Sequence, residues 1–257
     1  AFFADGKAYF ENTEHKSFDP QHRGCPFLCL DLETGERVFQ IPYRGSEWSS
    51  TPIIGDSIMV TMDTYDQRVY AIGKGPSATT VEAAPTVSVQ GDNVVVKGMV
   101  TDISPGTNDI KLTMRFPNGV LAVCDDNMSD WMLYVYKQFE RPTDIIGVDV
   151  TITVLDPNGN IYDIGTATSD ESGFYKLSFV PAVPGDYTIV ASFEGSKAYF
   201  GSHAETAITV DAAPQPTAPP TPTPAPMTDT YVLGLGAASI VAIIAIGLVL
   251  ILMLRKR

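Results

Sequence analysis

Residues 168–210 read TSDESGFYKLSFVPAVPGDYTIVASFEGSKAYFGSHAETAITV. Three runs rich in aromatic and β-branched residues stand in this stretch, at 174–179, 187–193 and 204–210. Ser172-Gly173 and Pro184-Gly185-Asp186 punctuate them. Tyr187, Ile189, Ala191 and Phe193 alternate with Thr188, Val190 and Ser192. Successive side chains of a strand point to opposite faces, so this spacing predicts a strand with one row turned into a core. Gly, Pro and Asp between the runs supply turn conformations that a strand interior excludes.

The same punctuation continues upstream. Further strand-like runs lie at 86–89, 93–101, 148–155 and 161–166, with turns at Gly91-Asp92 and Asp156-Pro157-Asn158-Gly159. Seven strands at this spacing predict a β-sandwich over residues 75–211. Residues 103–147 interrupt the rhythm. Within them Met128, Trp131, Met132, Val135, Tyr136 and Phe139 recur at three- and four-residue steps, which predicts a helical insertion at 125–139. Asn127 stands where a side chain caps a helix, and Asp130 falls in the first turn, where the helix dipole favours an acid. The apolar stripe either docks a partner or packs on its own sheet, and the second is the ordinary outcome.

The motif D-x-x-G-x-[FY], followed by PGxYTVxAxFxG, is similar to the Ig-like repeats of bacterial and archaeal surface proteins. Asp170, Gly173, Pro184, Gly185, Tyr187 and Gly195 carry the likeness. It implies a spacer or adhesion module and no enzyme.

Residues 1–74 carry shorter strands. Asp5-Gly6 precedes Lys7-Ala8-Tyr9-Phe10, and Gly55-Asp56 precedes 57–62. The order of turn, strand, loop and strand recurs, so that Ala8-Tyr9-Phe10 matches Ile58-Met59-Val60 and Leu28-Cys29-Leu30 matches Tyr70-Ala71-Ile72. The segments DGKAYF…FLCLDLETGERVF and STPIIGDSIMV…DQRVYAIG resemble blades of the quinoprotein, or PQQ-like, β-propeller family. Asp31, Thr34 and Gly35 fit the blade pattern; Phe39 stands where it usually has Trp, and the loop at 11–24 is longer. A propeller takes about four to eight blades, so residues 1–74 are expected to be the last blades of an incomplete propeller. The chain opens directly on a strand-like run, and it is expected to be the C-terminal part of a longer protein whose export signal lies upstream. Some relatives bind pyrroloquinoline quinone and calcium and oxidise alcohols or sugars, while many are non-catalytic scaffolds. Under the dehydrogenase alternative the active site lies in upstream blades; otherwise no cofactor is expected.

The other end of the chain is physically different. Residues 230–254 include an uncharged apolar run of 24 residues, 231–254. As a helix that run spans roughly 36 Å, more than a hydrocarbon core of about 30 Å. Tyr231 and Leu254 bound it, and Arg255, Lys256 and Arg257 follow it as a basic tail. The positive-inside rule expects that tail in the cytoplasm and everything before the run outside. Gly234, Gly236 and Gly247 allow close helix contact. Residues 212–229 form a Pro/Thr-rich stalk, expected to be extended because Pro lacks the amide donor. Thr217, Thr221 and Thr223 are its candidate O-glycan sites.

The net charge of −13 divides into −4 for residues 1–74, −11 for 75–211 and +2 for 212–257. Nucleic-acid binding is excluded on charge, since it needs a basic patch to neutralise phosphates. No Ser/His/Asp set, phosphate loop or paired carboxylate frame is present. Asp125, Asp126 and Asp130 are the densest acidic cluster and the candidate calcium ligands; Asp156, Asn158 and Asn160 form a second polar turn. Glu11, Glu14, His15, Asp19 and His22 share one loop without a metal-ligand spacing. Asn127-Met128-Ser129 is the one N-glycosylation sequon. Cys25 and Cys29 are about 13 Å apart in a continuous strand, too far for a bridge, and with Cys124 the count is odd. The chain reads as a non-catalytic, membrane-anchored surface protein displaying its β modules to a protein or glycan ligand. A tethered dehydrogenase and a structural envelope component are the alternatives.

Overall fold

The computed structural model describes residues 1–11, 26–45, 52–215 and 228–256. Glu14, His15, Asp19, His22 and Cys25, most of the stalk with Thr217, Thr221 and Thr223, and Arg257 lie outside the described residues. The chain divides into two units, Ala1–Ala213 and Pro214–Arg257. The first is mostly β.

Its N-terminal strands form two antiparallel meanders. Strands β1 (Phe2–Ala4), β2 (Lys7–Phe10), β3 (Pro26–Asp31) and β4 (Arg37–Pro42) pair in sequence order, and so do β5 (Ile53–Gly55), β6 (Ile58–Asp63) and β7 (Arg68–Ile72). The hairpins β1–β2 and β5–β6 turn through Asp5-Gly6 and Asp56-Ser57, with all four residues at positive φ. Such two-residue turns match the twist of the flanking strands, which is why Asp, Gly and Ser occupy them. After β3 the Asp31 carboxylate accepts the amides of Glu33 and Thr34, both at 2.9 Å, and Gly35 takes the left-handed conformation. Those amides, Thr34 first, hold the Asp31 carboxyl below the usual carboxylate range. Tyr9, Phe27, Cys29 and Tyr43 form a small core with Met59 of β6, and Phe2, Phe39 and Ile72 pack on it. Phe39 stacks on Phe27 with ring centroids 6.2 Å apart. Cys29 is free and buried in this core.

Residues 75–211 build two further sheets. The short strands β8 (Ser77–Thr79), β9 (Glu82–Ala84) and β10 (Val87–Val89) precede the long β11 (Val94–Asp102). Helix α1 (Ile110–Arg115), β12 (Val120–Leu121) and helix α2 (Met128–Lys137) follow, and then β13 (Asp149–Leu155), β14 (Ile161–Thr168), β15 (Phe174–Phe179), β16 (Gly185–Gly195) and β17 (Phe200–Asp211). One sheet has the order β10-β17-β16-β13-β14; the other is β12-β11-β15, with β8 and β9 also paired to β11. All pairs are antiparallel except β10 with β17. The two sheets share one core. Val94, Val96 and Val100 of β11 and Tyr175 of β15 meet Val150, Ile152 and Val154 of β13 and the row Tyr187, Ile189, Ala191, Phe193 of β16. That row is the one expected from the alternation. Each large member contributes roughly 1.5–3 kcal/mol by leaving water.

All seven expected strands are present. The short β8, β9 and β12 were not expected, because two or three residues carry no readable period. Of the helical insertion expected at 125–139, Asp125–Asn127 form a single 3-10 turn and α2 runs from Met128 to Lys137, where Gln138 turns left-handed. Asn127 makes no capping bond from its side chain.

The second unit contains helix α3 (Thr228–Leu254), 27 residues, whose most apolar 18-residue stretch has mean hydropathy 3.0. At about 1.5 Å per residue it is roughly 40 Å long, enough to cross a membrane.

Candidate functional site

The site begins with α2. Trp131 and Val135 lie on one face, buried against Leu112 of α1, Val120 and Leu121 of β12, and Ile145. The Trp131 indole N–H donates to the Leu121 carbonyl at 3.2 Å, so this ring is both packed and satisfied. The stripe seen in the sequence therefore covers α2's own small core.

The other end of α2 holds the polar chemistry. A helix leaves its last carbonyls without internal partners and carries partial negative charge there. Arg115 donates to the Val135 carbonyl at 3.0 Å and to that of Tyr134 at 3.2 Å. Its guanidinium lies over the Tyr134 ring at 4.6 Å and the Phe116 ring at 5.1 Å. Arg68, from β7, donates to the Tyr136 carbonyl at 3.5 Å. Two cations from different elements thus complement one helix terminus.

Lys137 ties α2 to the second meander. Its ammonium pairs with Asp63 at the end of β6, with the two side chains 8% and 2% exposed. Asp66 lies 3.6 Å away, and the Tyr70 ring centroid 4.5 Å away. The second oxygen of Asp63 accepts the amides of Arg44 at 3.1 Å and Tyr65 at 2.9 Å. A buried pair is tolerable only when the remaining lone pairs are met in this way. Beside it Tyr43 hydrogen-bonds Thr61. Burial pushes the Tyr43 phenol up to about 12 against the opposing pull of Thr61. Burial and the Asp66 hydrogen bond push Tyr70 up as well.

Two clefts open around this terminus. One, of about 250 Å³, lies between β4, the β6–β7 turn and α2, with Arg44, Asp63, Tyr65 and Lys137 on its walls. The other, of about 360 Å³, lies between α1 and the end of α2, with Lys111, Arg115, Asp109 and Leu112 among its lining residues. Arg68, Tyr136, Gln138 and Phe139 line both. Burial, then the Asp102 charge, pushes the Tyr136 phenol up to about 12, so it is a neutral hydroxyl at ordinary pH. Gly106 approaches it closely: a Cβ there would lie 3.1 Å from the Tyr136 ring.

The residues singled out in the sequence fall elsewhere. The Asp125 carboxylate accepts the amides of Lys197 at 3.0 Å and Ala198 at 3.2 Å, pinning the β16–β17 turn. Asp126 and Asp130 are exposed. Among the described residues no three His, Cys, Asp or Glu side chains come together as a metal site. Asn127 uses its side chain on the Ile146 amide at 2.9 Å, the Asp144 carbonyl at 3.3 Å and the Cys124 thiol at 3.2 Å. Asp156 closes its own turn, accepting the amides of Asn158 and Asn160 and the Asn160 side chain, all at 2.9 Å. Asn160, together with the turn amides, holds the Asp156 carboxyl below its usual range. Tyr231 and Leu254 lie within α3, and Arg255 and Lys256 follow it. The ring of Arg68, Arg115 and Lys137 was not read from the sequence. Lys137 and Asp63 are 74 positions apart, and no motif joins them.

No protein-family model matches this chain, and no curated protein matches it. Among solved structures it is similar to Spo0M, a sporulation control protein from Bacillus subtilis, at 9% identity and TM-score 0.29, over 54% of this chain and 51% of that one. It is also similar to a tetra-tandem repeat in the extending region of a large adhesion protein, at 17% identity and TM-score 0.31, over 73% of this chain and 38% of that one. The chain therefore spans about half the length of the first and less of the second, and both scores are below those of shared folds.

Proposed function

We propose that this protein is a single-pass, membrane-anchored surface protein whose β-rich portion is displayed outside the cell for binding or adhesion. The observation that carries the reading is α3, a 27-residue apolar helix followed in sequence by Arg255, Lys256 and Arg257. By the positive-inside rule, the basic cluster after α3 supports an orientation with that end in the cytoplasm and residues 1–227 outside. The Pro-rich stretch then acts as a semi-rigid spacer that lifts the β portion off the bilayer. The two meanders, with their matching two-residue turns and the Asp31-Thr34-Gly35 turn, are read as PQQ-like propeller blades. The two sheets of residues 75–211 are read as an Ig-like sandwich whose insertion, α1 to α2, carries the candidate binding groove. The reading is non-catalytic: the charged groups that line the groove, Arg68, Lys111, Arg115 and Asp109, are suited to holding a ligand rather than arranged as a nucleophile with its base.

Membrane extraction tests this. Membranes from cells expressing the full chain are washed in alkaline carbonate, which strips peripheral proteins. The chain is expected to stay in the pellet and to leave it only with detergent. Release into the carbonate supernatant would overturn the anchor and the surface role with it.

A further inference from the structure

The cleft between α1 and the C-terminal end of α2 has an unusual charge. Arg68, Lys111 and Arg115 line it, against one carboxylate, Asp109. This is a local excess of cations in a chain of net charge −13. Asp109 is committed: it accepts the Lys111 amide at 2.8 Å as the cap of α1. Among the described residues, no carboxylate pairs with Arg68, Lys111 or Arg115. The hydrogen bonds of the two arginines go only to neutral carbonyls, while the flat face of Arg115 rests on the Tyr134 and Phe116 rings, and a guanidinium carries five N–H donors in a planar fork. Arg115 uses two contacts and Arg68 one, so each keeps donors to spare.

The rest of the wall is of another kind. Tyr136 and Phe139 contribute ring surface, and Phe139 is 39% exposed. Gln138, held left-handed at φ 60°, adds an amide between them. A cleft of about 360 Å³ is of small-ligand size. Rings that cover the C–H face of a sugar, an amide and a neutral phenol for its hydroxyls, and unpaired guanidinium forks for a carboxylate are complementary to one chemical class.

We infer that this groove binds an acidic saccharide, its carboxylate held by Arg68, Lys111 and Arg115 and its ring laid against Phe139 and Tyr136. The inference rests on the surface-display reading for its biological setting, but the groove chemistry is independent of it.

The test is calorimetric titration of the full chain in detergent micelles with a galacturonic acid trisaccharide. The neutral galactose trisaccharide and sodium sulfate serve as comparison ligands. Saturable binding of the acidic sugar is expected, with neither comparison ligand matching it. The double variant Arg68→Gln/Lys111→Gln should weaken it about tenfold or more, and Lys111→Arg should retain it. Lys97→Gln, on β11 and outside the groove, should bind as the parent does. Circular dichroism of each variant reports folding separately. Absence of binding, equal binding of the neutral sugar, equal binding of sulfate, or an unchanged folded double variant would each overturn the inference. Retention in carbonate-washed membranes alongside any of these would leave the surface reading standing without this ligand.

Discussion

Gly98, in the middle of β11, shows how tightly single positions are set. A Cβ there would fall 1.9 Å from the Thr80 carbonyl and 2.5 Å from the Tyr175 hydroxyl, which itself donates to that carbonyl at 2.5 Å. Gly98→Ala must displace backbone or a buried ring, and should cost about 2 kcal/mol or more, read as a lower urea midpoint. Gly106→Ala pushes on Tyr136 and should disturb the groove at smaller cost, seen as weakened acidic-sugar binding in a protein with a near-parental melting temperature. The buried tyrosines set a pH limit. Tyr43 and Tyr136 are pushed up to about 12 from 10.0, chiefly by burial, and Tyr175 and Tyr199 are raised for the same reason. Above pH 10 the unfolded chain loses these protons while the folded chain keeps them, so stability is intact below that pH and falls as pH rises through the folded values. The melting temperature should decline steeply above pH 10 and stay flat from neutrality up to it. Little of this was legible in the sequence, where Gly98 only interrupts a Val-rich run and nothing marks Gly106 as a neighbour of Tyr136.

At the scale of elements, the decisive contact is α2 against the second meander. Lys137→Met leaves Asp63, 1% exposed, without its counter-charge and should destabilise by about 3–5 kcal/mol. Adding Asp63→Leu should recover much of that loss, because two apolar groups replace a pair that had to be desolvated. Urea unfolding of the two single variants and the double variant measures the coupling, and strict additivity would show that the pair does not join the elements. The strands themselves were legible, since a period of two over seven or more residues is hard to mistake, as in β13 and β16. Strands of two or three residues such as β9 and β12 have too few positions to show a period. α2 was legible as a helix from its Trp131 and Val135 spacing, but its end was not, because Gln138 is an uncommon left-handed residue. The ion pair was illegible because its partners meet only after both elements fold.

For the whole molecule, a β-rich unit of 213 residues and an apolar helix of 27 residues lie in one chain. The helix was the plainest feature of the sequence, since the uncharged run of 24 residues at 231–254 needs no tertiary context to be read. The groove was the least plain, since its charges come from β7 and α1 and its rings from the end of α2. The acidity of residues 75–211 suits solubility and makes a cationic groove stand out against its surroundings. The central claim is that the β-rich unit faces outward and the basic tail inward. It is tested most directly by replacing Cys25, Cys29 and Cys124 with Ala and introducing single cysteines, Asn158→Cys in an exposed turn and Lys256→Cys after α3. Intact cells are then treated with a membrane-impermeant maleimide. The account predicts that N158C is labelled on intact cells and K256C only after permeabilisation; labelling of K256C on intact cells, with N158C protected, would contradict it.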